Sequence, residues 1–450
     1  MTDHRETIST LGTKLRDGTS TATDVSHAAR QAAVSAGPVF ITVADNDQAA
    51  QNSDERFSAG TPRSALEGIP VAIKDVIDTA DMRTTMGSDL FADHRPDNDA
   101  AIVAQLRQAG ANIIGKANTH EFSYGIRGDT SAFGVVPNPY DETRVSGGSS
   151  SGSAAAVAHG IVPVAVGTDT AGSIRVPAAL CGVVGFKPTF DLLDTDGVFP
   201  LSQSFDTVGF LGTTVRDILA TLDALGLEGF EPDAEDSEHF EFRLLQGNPG
   251  LSAEAEIESP EVSLPDVLDA PEIEHPTFDG DHADFRGLFN VVRSREAYLI
   301  HEPYLEASEG LYQELTLTRI KKGRDISDGE VDDAHASIAK VNQRYLDAFE
   351  DDQMLLTPTV PIDAPPQDES PGEGSEVLVS QSVMWNMLGW PAVSVPYWIP
   401  GDPLPKGVQI IGKPGRDAAV LRAGQQIEQL LAKHFETLRP AQPQTVEVHE

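Results

Sequence analysis

Apolar positions recur at helical spacing from Glu6 to Arg16 and again after the threonine-rich start at Thr21. The first fifty residues therefore predict two amphipathic helices followed by a short strand, Val39 to Val43. This N-terminal arm, residues 1–60, is expected to pack and not to react. Gly68-Ile-Pro-Val-Ala-Ile-Lys74 alternates and is rich in β-branched residues, which predicts a buried strand delivering a lysine at its end. Asp99 to Gly110 has the helical period and Ala111 to Gly115 reads as a strand, the alternation typical of an α/β fold. Helical periodicity returns over Ala297 to Phe349, and Met354 to Val360 and Ala392 to Val395 are short strands bounded by Pro and Gly. No internal repeat is visible. The expectation is one α/β domain over residues 1–450 with a helical periphery at 286–350.

Two stretches break this pattern. Between Val145 and Pro188 the chain turns to Gly, Ser and Ala with apolar interruptions. From Glu228 to Phe285 there are 18 acidic residues, several prolines and a single basic residue, Arg243. That composition predicts a surface insertion or loosely ordered loop, residues 228–285, carrying solubility and not chemistry.

Charge narrows the classes of partner. The 450 residues hold 32 Lys plus Arg against 70 Asp plus Glu, a formal net charge of −38. A polyanion binder needs a basic stripe, so neither nucleic acid nor an anionic membrane surface is an expected partner. With 40% apolar residues the chain can still build a core. No apolar run reaches the 18 or so residues of a spanning helix, and MTDHRETIST lacks a signal-peptide pattern. One cysteine, Cys181, excludes an intrachain disulfide framework or a cysteine-rich metal site. A cytoplasmic location is the expectation. Strong self-repulsion opposes compactness unless salt screens it, so the acidity, with lysine scarce, predicts a halophilic protein.

Conventional catalytic motifs are missing: there is no HExxH, no GxxxxGK[ST] and no GxSxG, and the twelve histidines show no ligand spacing. The run Gly147 to Ser153 lacks the lysine of a phosphate loop, so no nucleotide, metal or organic cofactor is expected. What remains is a pair of serines in small-residue settings. Ser149 follows two glycines, and Ser173 lies in Gly167-Thr-Asp-Thr-Ala-Gly-Ser-Ile-Arg175, where backbone N–H groups can converge on a developing oxyanion. A serine hydroxyl needs a base, and Lys74 is the candidate. It serves only when neutral, and burial lowers a lysine pKa by penalising the charged form. Bringing one from about 10.4 down by roughly three units, toward 7, takes roughly 4 kcal/mol. The bland readings stay open: a Gly/Ser/Ala tract as a flexible loop or tight helix contact, a strand-end lysine as a solvated charge, and Cys181 as a small core side chain.

These residues resemble the amidase signature family. Gly147 to Ala179 is similar to its defining motif, and Gly68 to Ser88 to its lysine-bearing segment. Lys74 and Ser149 are 75 residues apart, and Ser149 and Ser173 are 24 apart, separations typical of the family. Similarity extends to THEFSYG at Thr119, VGFKPT at Val184, LLTPTVP at Leu355 and GWPAVSVP at Gly389. The resemblance implies a large twisted mixed β-sheet covered by helices on both faces. By position it implies that Ser173 attacks an amide carbonyl, Ser149 relays the proton after a cis Gly148–Ser149 peptide, and neutral Lys74 receives it. Backbone N–H groups of Thr170, Ala171, Gly172 and Ser173 would bind the oxyanion. Thr168 would hydrogen-bond near Ser149, while Asp169 and Arg175 would brace the loop, or form an ion pair that only stabilises it. Ser151 and Ala171 replace frequent glycines, small changes that leave the triad intact.

The expected activity is that of a stand-alone amidohydrolase turning a small carboxamide into carboxylate and ammonia. The alternative is the glutaminase component of a tRNA-dependent amidotransferase, which works only with partner subunits. That type of component holds glutamine with an Arg and an Asp. Arg319 stands at a comparable place, but Val379 and Ser380 occupy the region of the acid. Substrate-contact candidates by position are Met86, Tyr124 and Trp385, with core packing as the other reading. Their character favours an aryl or alkyl amide over a charged one. A small-molecule amide is the expected partner, and a homodimer stays open.

Overall fold

The computed structural model describes residues 5–232, 239–248, 250, 262, 264–276 and 284–434. Thr7 and Thr21 accept hydrogen bonds from backbone N–H groups three residues on, closing capping boxes that start α1 (Ile8–Asp17) and α2 (Ala22–Ser35). The other helices are α3 (Gln48–Ser58), α4 (Ala101–Ala109), α5 (Ser151–Ala158), α6 (Arg175–Leu180), α7 (Val215–Ala224), α8 (Phe285–Ser308), α9 (Glu314–Lys321), α10 (Asp328–Ala348), α11 (Ser375–Val379), α12 (Val383–Met387) and α13 (Asp417–His434). The predicted elements of the first 120 residues are all present, with boundaries shifted by one or two residues.

Eleven strands form one sheet. In chain order they are β1 (Phe40–Val43), β2 (Pro70–Lys74), β3 (Asn112–Ala117), β4 (Val164–Asp169), β5 (Val184–Lys187), β6 (Thr207–Gly212), β7 (Glu241–Leu245), β8 (Glu272–Ile273), β9 (Gln353–Pro358), β10 (Ala392–Tyr397) and β11 (Lys406–Ile411). Their spatial order is β1-β3-β2-β4-β6-β5-β10-β11-β9-β7-β8. The sheet is mixed: β2 runs parallel to both β3 and β4, while β4, β6, β5, β10, β11 and β9 pair successively antiparallel. A strand parallel to both neighbours is buried on both faces, and every residue of β2, Lys74 included, is buried. The lysine is therefore not a solvated edge charge.

The Gly/Ser/Ala stretch is ordered core. All eight residues of α5 are buried, its small side chains letting the helix lie close against β2, β3 and β4. Cys181 is buried, its Sγ donates to Ser146 O, and burial pushes its thiol pKa up, as a core side chain requires. Within 228–285 the described residues include β7 and β8, which extend the sheet beyond β9, so this acidic stretch contributes strands as well as loop. Much of the rest of that stretch, residues 233–238, 251–261 and 277–283, lies outside the described residues. Among the described residues no helix is long and apolar enough to cross a membrane.

Candidate active site

Strand β2 ends at Lys74, beside the last residues of β4. Lys74 Nζ lies 2.6 Å from Ser149 Oγ and 2.7 Å from Thr168 Oγ1. Burial lowers its pKa to about 7, although the charges of Asp169 and Asp206 act to raise it. Half of the amines are then neutral near pH 7. A neutral amine has a lone pair to accept from the Ser149 hydroxyl and hydrogens left for Thr168.

Ser149 sits in the turn that opens α5, immediately after a cis Gly148–Ser149 peptide bond. Its carbonyl accepts from His120 N at 3.1 Å. Ser150 ties this turn to the next: its N–H donates to Ser173 O at 3.2 Å and its hydroxyl to Thr168 O at 3.2 Å. Lys74 and Ser149 thus meet through their side chains, and the Ser173 backbone is tied to the same turn through the Ser150 N–H. The His120 imidazole is no rival base, because burial lowers its pKa to about 3.

Ser173 lies in the loop between β4 and α6, and Asp169 organises that loop. Its carboxylate accepts from Gly172 N at 2.7 Å and Ile174 N at 3.1 Å, and from Arg175 Nε and Nη2 at 3.0 Å each. Burial by itself would raise the Asp169 pKa, but the Arg175 charge and hydrogen bonds outweigh it and hold the carboxyl well below its usual range. Arg175 is fixed in turn by Gln409 Oε1 and Asn386 Oδ1, both at 2.6 Å. The Gly172 N–H is thereby committed to Asp169. Of the four N–H groups expected as an oxyanion site, those of Thr170, Ala171 and Ser173 remain.

Gly172 has φ +123°, and a Cβ there would meet Ser382 Oγ at 2.2 Å. Only glycine allows that approach, in which the Ser382 hydroxyl donates to Ala171 O at 2.7 Å. Thr170 is held through its hydroxyl, which donates to Asp206 Oδ1 at 2.6 Å. Asp206 also accepts from Leu201 N and Ser202 N, and burial raises its pKa to about 6. Its part in the loop was not legible in the sequence, since Asp206 lies 36 residues from Thr170 and carries no motif.

Ser173, Thr170 and Ala171 open on a cavity of about 230 Å³ that Tyr124 also lines. The other two contact candidates are elsewhere. Met86 is buried in the core with its N–H on Asp75 O. Trp385 packs against Tyr345 and Trp390, its indole N–H on Gln381 O at 3.0 Å. Both side chains were placed by nearness to family segments, which says nothing of the direction they face. The rest of the wall comes from α8, α9 and the residue after it: Arg286, Phe289, Asn290, Arg293 and Lys322, missed from the sequence, and Arg319, noted there only as the counterpart of a glutamine-binding arginine. Residues 286, 289, 290 and 293 are spaced i, i+3, i+4 and i+7, one face of a helix, a signal present in FRGLFNVVR. The stretch assigned to the periphery therefore builds one side of the site. Val379 lines the cavity where the glutamine-binding acid was sought.

A mixed sheet of this kind, with a buried lysine, two serine turns and a small cavity, has the architecture of an amide hydrolase. The amidase family profile matches residues 24–248 and 277–421, and the chain belongs to that family. It is 36% identical over 451 residues to the A component of the glutamyl-tRNA(Gln) amidotransferase from Symbiobacterium thermophilum, covering 89% of this chain and 91% of that one. A crystal structure of an amidase superposes with TM-score 0.82 at 27% identity, over 95% of this chain and all (100%) of the other. The native peptide amidase of Stenotrophomonas maltophilia gives TM-score 0.77 at 25% identity, over 98% of this chain and 99% of that one. The protein is an amide-hydrolysing enzyme of this family.

Proposed function

We propose that the protein hydrolyses a small carboxamide through an acyl-enzyme on Ser173, with Ser149 as proton relay and neutral Lys74 as terminal base. Ser173 Oγ attacks the carbonyl carbon while its proton passes to Ser149 Oγ, and the Ser149 proton passes to Lys74 Nζ. The N–H groups of Ala171 and Ser173, with Thr170 beside them, face the oxyanion. Returned along the same path, the proton reaches the departing nitrogen and ammonia leaves; water then attacks the ester and releases the carboxylate. The observation that carries this reading is the fully buried Lys74 amine 2.6 Å from Ser149 Oγ. The test is ammonia release from aliphatic, aryl and carboxylate-bearing amides and from glutamine, with hydroxylamine added to trap the acyl-enzyme as a hydroxamate. Turnover without hydroxamate, or no turnover of any amide, rejects it.

A second reading, glutaminase component of an amidotransferase, is favoured by the name of the 36% identical relative. Against it, no acidic side chain among the described residues lines the cavity to take an α-ammonium. Glutamine turnover that requires partner subunits would decide for it. The acidic surface is, on the same footing, an adaptation to high salt, supported by the net charge of −38.

A further inference from the structure

The cavity that receives Ser173 is electropositive in a chain that is not. Among its lining residues are Arg286, Arg293, Arg319 and Lys322, and no Asp or Glu. None of these four side chains makes an ion pair among the described residues. Arg319 Nη1 donates to Tyr124 O at 2.6 Å, which fixes that guanidinium at the wall. The Arg293 guanidinium lies 5.0 Å from the Tyr124 ring centroid and 5.2 Å from that of Phe289, and Arg286 sits 6.0 Å from Phe289. Aromatic faces hold a cation in place without neutralising it. Arg286 Nη1 and Arg293 Nε are buried donors with no hydrogen-bond partner among the described residues, and the Asn290 Oδ1 and Ser375 Oγ atoms that share the cavity also lack one there. Buried donors left unpaired are costly. Mutual repulsion of Arg286, Arg293 and Arg319 adds to the cost, with Glu376 near Arg286 as a partial counter-charge.

An anion in the cavity would satisfy both deficits at once. Guanidinium forks match a carboxylate in shape as well as charge. At about 230 Å³ the space is small for a ligand site. Departing ammonia needs little of it, so the volume belongs to the acyl side. Resting on the amidase reading above, we propose that the substrate is the half-amide of a short dicarboxylic acid, its free carboxylate held by Arg286 and Arg293 on α8 with Arg319 behind them, and bearing no ammonium group. This replaces the aryl or alkyl amide expected from Tyr124, Met86 and Trp385, since only the first of those faces the cavity.

The experiment separates recognition from turnover. Ser173→Ala protein is titrated calorimetrically, at one fixed KCl concentration, with succinamate, glutaramate, the neutral butyramide and valeramide, and glutamine. Binding of a half-amide at least tenfold tighter than its neutral counterpart and than glutamine is expected. Arg286→Gln and Arg293→Gln, each added to Ser173→Ala, should reduce that ratio about tenfold, and Arg286→Lys less, with circular dichroism checking the fold. Neutral amides binding as well as half-amides would overturn the anion site, and glutamine binding as well as glutaramate would overturn the exclusion of an ammonium. Wild-type protein is assayed in parallel for ammonia. A binding preference without ammonia release from any amide rejects the hydrolase reading and leaves the anion site standing; ammonia release without a preference does the reverse.

Discussion

Lys74 Nζ and Ser149 Oγ, 75 residues apart in the chain, meet at 2.6 Å inside the protein, with the lysine fully buried. The contact exists because β2 is flanked by parallel strands on both sides, so its last residue is delivered to the interior and not to an edge. Desolvation then lowers the ammonium pKa to about 7, which gives the amine a lone pair where the neighbouring hydroxyl can use it.

Replacing the proposed terminal base should remove catalysis and spare the fold. Lys74→Met is expected to lower kcat by about 10²- to 10⁴-fold, the range of a positioned general base, with KM changed little. A steady-state assay that finds KM raised at unchanged kcat would make Lys74 a binding residue.

The same residue sets a pH dependence. Its folded pKa, about 7, is depressed from 10.5, so its stabilising contribution is present above the unfolded value and is lost as pH falls through about 7. Activity follows the same sign: the neutral amine gains as pH rises, and kcat/KM should climb along a limb centred near pH 7. Lys187, depressed to about 7 by burial, adds a stability change of the same sign but no activity limb. A kcat/KM profile flat from pH 6 to 8 would remove Lys74 from the proton path.

Ser173→Ala is predicted to reduce ammonia release to the uncatalysed rate and to abolish hydroxamate formation, while circular dichroism and the thermal midpoint remain those of the wild type. Residual turnover with hydroxamate still formed would reassign the nucleophile.

The Asp169–Arg175 pair is wholly buried. Arg175→Ala leaves a carboxylate in the interior without its counter-charge, which costs about 3–5 kcal/mol, and frees the loop that presents Ser173. Urea unfolding should show that loss together with a fall in kcat. Unchanged stability would show that Gln409 and Asn386 do not depend on the pair for their positions.

Net charge makes a prediction of its own. Salt shortens the Debye length to about 3 Å at 1 M, so the unfolding midpoint should rise from low to molar KCl, and a maximum at low salt would end the salt-adaptation reading.

How much was legible beforehand differs from residue to residue. The first two helices, the apolar strand ending in Lys74, and the α4–β3 alternation were readable because each is a local pattern of period 3.6 or 2. Lys74, Ser149 and Ser173 were readable because small residues and motif spacing mark their turns. Strand β7 was hidden by the acidity around it, since charge describes the solvent face and not the backbone pairing with β9 and β8.

The sequence by itself determined which groups are available for chemistry: a lysine on an apolar strand, two serines among glycines, no metal-binding motif, and a strongly negative surface. Only the tertiary structure decided their environment. It buried the amine, committed the Gly172 N–H to Asp169, brought Asp206 to Thr170, and left Met86 and Trp385 out of the Ser173 cavity while lining it with Arg286 and Arg293. The physical reason is that a pKa, an unpaired donor or the lining of a cavity depends on neighbours distant in the chain, and the free energy of a charge depends on how much water those neighbours exclude.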